Sequence, residues 1–179
     1  MSLWNPRKLL LLSLAGGYAA ASMAAPVTIA PVVIGEPLQK SLNDRYGVAE
    51  AQELQAAVVQ SLTRSLKRVG AEPGAGAPVR IEVLIDSATP THPTRRQMNE
   101  NPSLDYLASV SRGGAQLHAV LRSADGKALD RVAYDYYANT LHEVSQSASA
   151  WGDAYLAMDR FADQVAKAWQ RLSATPPAS

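Results

Sequence analysis

Imidazole is the first chemistry to look for in a chain without cysteine, and this one carries three histidines, His92, His118 and His142. Such rings serve as general bases or metal ligands near neutral pH. None of the three stands in an H-x-x-x-H or H-E-x-x-H spacing, so a composite site with Asp86, Asp105 or Glu143 would have to be assembled by the fold. The lack of cysteine removes disulfides, thiolate nucleophiles, cysteine–zinc sites and acylation of an N-terminal cysteine in one step. No G-x-S-x-G elbow is present to anchor a serine hydrolase. The run Ser111-Arg112-Gly113-Gly114-Ala115 looks superficially like a phosphate loop, but it enters a strand pattern, whereas phosphate cradles open a helix whose amides hold the anion. A bend or bulge at the strand entry explains its two glycines. No catalytic or metal-ligating residue is therefore assigned, and no cofactor is expected.

Binding chemistry has better candidates. Thr91-His92-Pro93-Thr94-Arg95-Arg96-Gln97 places two guanidinium groups on a proline-stiffened stretch within a long loop, residues 87–112. Loops of that length inside compact domains tend to be functional or disordered, and Arg95 and Arg96 could grip carboxylate or phosphate groups. The densest aromatic run is Tyr134-Asp135-Tyr136-Tyr137. Strand alternation turns Tyr134 and Tyr136 inward with Val132 and leaves Arg131, Asp135 and Tyr137 on the opposite, wet face. Candidate ligand- or partner-binding residues are thus Arg95, Arg96, Arg131, Asp135 and Tyr137.

The elements that would position these side chains follow from periodicity. Val27 to Ile34 is rich in β-branched residues and reads as a strand, with Pro31 marking an edge position or a bulge. Residues 35–47 read as a connection. Ala49 to Val69 has helical period, with Ala51, Leu54, Val58, Leu62, Leu66 and Val69 on one stripe and Gly70 as a left-handed stop. Glu72 to Pro78 reads as a connector. Val79 to Asp86 alternates strictly and predicts a strand with one covered face. Asp125-Gly126 predicts a two-residue hairpin turn in which Ala119 faces Val132, Leu117 faces Tyr134 and Ala115 faces Tyr136. Leu104 to Val110 has room for a short helix. Ala150 to Leu172 is a second amphipathic helix, with Trp151, Met158, Phe161, Val165 and Trp169 on its apolar stripe and Ser149 or Ser147 at its start.

The expected order is β-α-β-β-β-α, an α/β two-layer sandwich with a four-stranded mixed sheet and two helices on one face. Residues 25–172 form the single domain, and 173–179 a disordered tail. This order, from Val27 to Leu172, resembles the small α/β domains of bacterial envelope accessory proteins. Among those are the lipopolysaccharide-assembly lipoprotein, the auxiliary lipoproteins of lipid-transporting ABC systems and the N-terminal domain of the Tol propeller protein. The resemblance is one of architecture, carries no functional residue across, and implies action by protein contact. The chain departs from the lipoprotein members in lacking a cysteine to acylate.

Residues 1–24 have the layout of a cleaved signal peptide: Arg7 and Lys8, an apolar run from Leu9 to Ala21, then small residues. That run is shorter than the 18 or more residues needed to span a bilayer, so no stable membrane span is expected after cleavage. Without the leader, 15 basic residues face 16 acidic ones. Such a balance leaves no electrostatic footprint for nucleic acid. The expectation is an exported, non-enzymatic periplasmic binding or accessory protein of the cell envelope with an envelope protein or envelope ligand as partner. The alternative is a small periplasmic metal-binding protein or hydrolase using His92 or His118 with nearby carboxylates.

Overall fold

The fold comes from a computed structural model that describes residues 25–140, 143, 144 and 147–174. Residues 1–24, expected to be a leader, His142, and residues 175–179 of the expected tail lie outside the described residues. Ten elements follow in order: β1 (Ala25–Ile29), β2 (Val33–Ile34), α1 (Glu36–Ser41), α2 (Glu50–Arg68), β3 (Ala71–Pro73), β4 (Val79–Thr89), α3 (Arg95–Glu100), β5 (Gly114–Ser123), β6 (Ala128–Tyr137) and α4 (Gly152–Ala174). A five-residue π-turn, Leu42–Tyr46, joins α1 to the loop before α2.

The strands make one mixed sheet in the order β3-β1-β4-β5-β6, with β2 paired to β4 beyond the end of β1. The expected two-layer α/β plan holds, but the four-stranded, two-helix description is too sparse: six strands and four α-helices are present among the described residues. The additional pieces are all short. β3 is three residues ending in Pro73, too few to show alternation, and α1 and α3 are six residues each. Leu104 to Val110, by contrast, forms turns and not a helix.

Pro31 sits at a bulge. Ile29 pairs with Ile81 and Val33 with Leu84, so the strand 29–33 spends one residue more than its partner. Proline is tolerated there because β3 pairs only with residues 25–27, leaving the outer side of Pro31 without a ladder to join.

The hairpin reaches the expected register by a different turn. Ala119 does pair with Val132, Leu117 with Tyr134 and Ala115 with Tyr136. The loop, however, is closed by Ser123 and Lys127, with three residues between them and Gly126 at φ 85°. A bulge between the pairs Leu121–Asp130 and Arg122–Ala128 absorbs the extra residue and restores the pairing.

One face of the sheet is covered. Ile81, Val83 and Ile85 of β4, Leu117 and Leu121 of β5 and Val132 of β6 join a single core with Leu54, Leu62 and Leu66 of α2, Met158 and Phe161 of α4 and Trp151 just before it. Burying such side chains contributes roughly 1.5–3 kcal/mol each before entropy is counted. Helices α2 and α4 run parallel, tied by a polar ladder along their seam. The Trp151 indole donates to Glu50 at 2.7 Å, the Tyr155 hydroxyl donates to Glu53, and Arg64–Asp159 and Arg68–Asp163 ion pairs of 2.7 and 2.6 Å follow. Ser61 and Ser65 are buried beneath those pairs and donate to the same two aspartates.

A candidate binding face on the uncovered side of the sheet

No helix covers the other face among the described residues. Its side chains are set by the observed registers. Across the middle run Val33, Leu84, His118 and Ala133; one row along lie Glu82, Val120 and Arg131; on the other side lie Ser87, Gln116 and Asp135. A groove of about 440 Å³ opens here, lined by Pro31, Val33, Leu84, His118 and Val120 with Arg80 and Glu82 at its end. Val33 is 56% exposed, although it is apolar. Arg122 donates to Glu82 at 2.7 Å while Arg80 approaches the same carboxylate at 3.6 Å, so the charges at this end are mutually engaged. The arrangement is an apolar centre with a charged rim.

The loop crossing from β3 to β4 bounds this face. The Thr28 hydroxyl donates to the Gly74 carbonyl at 2.8 Å and accepts the Ala77 N–H at 3.1 Å, which staples the crossing over β1.

Of the residues expected to bind, Arg131 and Asp135 are exposed on this face, two positions either side of Ala133. Tyr137 is half-buried at its end, with its hydroxyl 2.7 Å from the Ser87 hydroxyl. Burial is the main cause that raises its phenol above the ordinary value. Arg95 and Arg96 belong elsewhere. They line a separate depression of about 510 Å³ with Tyr46, Gly47 and Val48, which shares no residue with the sheet groove. Arg96 is committed to structure there, donating to Glu100 at 2.6 Å and to the Asn43 carbonyl; Arg95 is exposed. They sit on α3, inside the stretch expected to be an irregular loop. Thr94 and Gln97 cap that helix reciprocally, and the T-x-x-Q spacing is the sequence signal that points to it.

The structure does not bring His92 and His118 together. His92 binds the Tyr106 carbonyl through Nδ1 at 2.9 Å and stacks on the Tyr106 ring, while His118 stands at the centre of the sheet face. Asp105 accepts the backbone N–H groups of Leu107 and Ala108, and Glu143 accepts that of Asn139, so both carboxylates shape turns. Among the described residues no three histidines or carboxylates are grouped as a metal ion would require.

The two glycines of the apparent phosphate loop serve close packing. A Cβ on Gly113 would stand 2.4 Å from the Thr91 hydroxyl, and one on Gly114 would stand 2.1 Å from the Tyr136 carbonyl. Thr91 and Asp153, which Gly113 touches, are both fully buried. The Thr91 hydroxyl donates to Asp153 Oδ2 and accepts the Asp153 N–H, each at 3.0 Å. This pair ties the long loop to the first turn of α4, and nothing in either residue's local sequence indicates the other.

Among the described residues no helix is long and apolar enough to cross a membrane. No family model matches the chain, and no curated protein matches it. A solved structure does: protein XCC0632 from Xanthomonas campestris, described with the family model DUF330, at 13% identity and a TM-score of 0.52, over 85% of this chain and 89% of that one. At that identity the likeness is one of fold, and it extends over nearly the whole of both chains: this chain has the fold of a small bacterial domain.

Proposed function

We propose that this chain is an exported, non-enzymatic accessory protein of the bacterial cell envelope, and that it binds an envelope protein through the bare face of its sheet. The observation that carries the reading is the asymmetry of the sheet. One face is sealed by α2 and α4, while the other presents Pro31, Val33, Leu84 and Val120 around His118 to solvent, framed by Arg131 and Asp135. An apolar centre left open in this way contributes to stability only when a partner removes it from water. Export rests on the layout of residues 1–24, and the envelope setting is supported by the architectural resemblance.

The test is affinity capture from envelope extract of the source cells by the mature protein, beside two variants. Val120→Glu puts a charge into the centre of the face and abolishes capture of the discrete partner; His92→Ala, at a histidine held off that face by Tyr106, leaves it intact. Loss of bound metal or of a hydrolytic activity on histidine replacement, with capture unaffected by Val120→Glu, would reverse the assignment in favour of a metal-binding protein or hydrolase.

A further inference from the structure

The two ends of the sheet are treated differently. β3 closes one end with three residues, Glu72 exposed and Pro73 terminal, which is how edges are made unfit for pairing. β6 closes the other end with ten residues and contains neither proline nor lysine.

The hydrogen-bond parity of β6 is fixed. Ala138 donates its N–H to the Gly113 carbonyl at 3.0 Å, so the even-numbered residues Val132, Tyr134 and Tyr136 bond inward to β5. Alternation in an antiparallel ladder then turns the backbone groups of Arg131, Ala133, Asp135 and Tyr137 outward. The Arg131 N–H agrees, since it is taken up by its neighbour Asp130 at 2.8 Å and not by β5.

We propose that β6 is a self-association edge, pairing antiparallel with β6 of a second copy about a two-fold axis through Ala133 to make one continuous sheet. The occupant is identified by charge. Arg131 and Asp135 are opposite in sign and equally spaced from Ala133, so the axis sets Arg131 across from the partner's Asp135, twice over by symmetry. The same register sets Tyr137 across from the partner's Leu129 and Val132 across from the partner's Tyr134, aromatic rings against aliphatic side chains. On the helix side Tyr136 comes opposite the partner's Asp130. Asp130 is already engaged within its own chain, by Arg171 at 3.0 Å and by the Arg131 N–H, so the register leaves no unpaired charge opposite Tyr136. An unrelated strand would meet Arg131 and Asp135 at random; a second copy meets both with the opposite sign. Pairing also joins two bare sheet faces into one, so the association extends the proposed binding face without depending on it.

Sedimentation velocity of the mature protein over a micromolar concentration series is the test, with mass as the readout and not capture. A concentration-dependent dimer is expected. Arg131→Glu and Asp135→Arg each weaken it by about tenfold or more, because symmetry doubles every contact. The two changes together restore it, since the swapped charges again complement each other. Ala133→Pro deletes the outward N–H at the axis and gives a monomer whose circular dichroism matches the parent. In this cysteine-free chain, Ala133→Cys treated with a short bis-maleimide gives a covalent dimer, and Leu129→Cys does not. A monomer at every concentration, a dimer indifferent to the single reversals, or a double variant no better than the singles would each overturn the proposal. The charge variants decide the matter even if Ala133→Pro fails to fold.

Discussion

Replacing Thr91 by valine isolates the buried pair that joins the long loop to α4. Valine keeps the branched shape and removes only the hydroxyl, so little volume changes. The hydroxyl is at zero exposure and makes two hydrogen bonds to Asp153, one to the carboxylate and one from the backbone N–H. A hydrogen bond to a charged group is worth about 1.5–3 kcal/mol, and a buried N–H left without its acceptor costs about 1–3 kcal/mol. Asp153 is also held by interactions beyond this pair, which keeps the total in the lower half of that sum, about 3–4 kcal/mol. Thr91→Ser keeps both bonds and loses one methyl group, about 1 kcal/mol. Urea melts of the two variants should therefore differ by about 2–3 kcal/mol at a common m-value, a large share of the 5–15 kcal/mol stability of an ordinary domain. A valine variant as stable as the serine variant would show that the pair carries no energy and that the loop is held by other means.

Phe161→Ala, at a side chain with no exposure in the centre of the core, should cost about 3–5 kcal/mol, whereas His118→Ala on the bare face should stay within about 0.5 kcal/mol; chemical denaturation compares them directly. Alkali should also unfold the protein earlier than charge balance alone suggests. Burial, together with the bond from its hydroxyl to Glu53, holds the Tyr155 phenol well above its ordinary value of 10, and burial raises Tyr136 and Tyr137 as well. A raised phenol means the fold favours the neutral form. The resulting stability is complete below pH 10 and is lost as pH climbs toward the folded values. Melting temperatures measured from neutral pH into alkali should fall for the parent and fall less steeply for Tyr155→Phe.

What is legible in the sequence is whatever repeats. Helices α2 and α4 are long enough for a stripe to declare itself, and the buried sides of β4, β5 and β6 follow from strict alternation. The hairpin register is legible for a related reason: pairing large residues with small ones across the strands constrains the answer even when the turn is misassigned. The pieces that stay hidden are those whose cause is not local. β3 exists because β1 offers it an edge at Ala25 to Val27, not because Ala71-Glu72-Pro73 prefers to be extended. The Ser61–Asp159–Arg64 and Ser65–Asp163–Arg68 groups join residues nearly a hundred positions apart. As for the candidate site, alternation alone places Arg131, Asp135 and Tyr137 on the wet face. Charge and loop length single out Arg95 and Arg96, and a capping box ties them instead to a short helix away from that face.

The central claim is that the uncovered sheet face, and not the helical one, meets a partner. A photoreactive amino acid placed at Val120 in the living cell, beside one placed at the exposed Gln164 on α4, tests it whatever the partner's identity. Irradiation should yield a discrete cross-linked species from position 120 and none of that species from position 164. The same product from both positions, or a product from 164 alone, would contradict the claim.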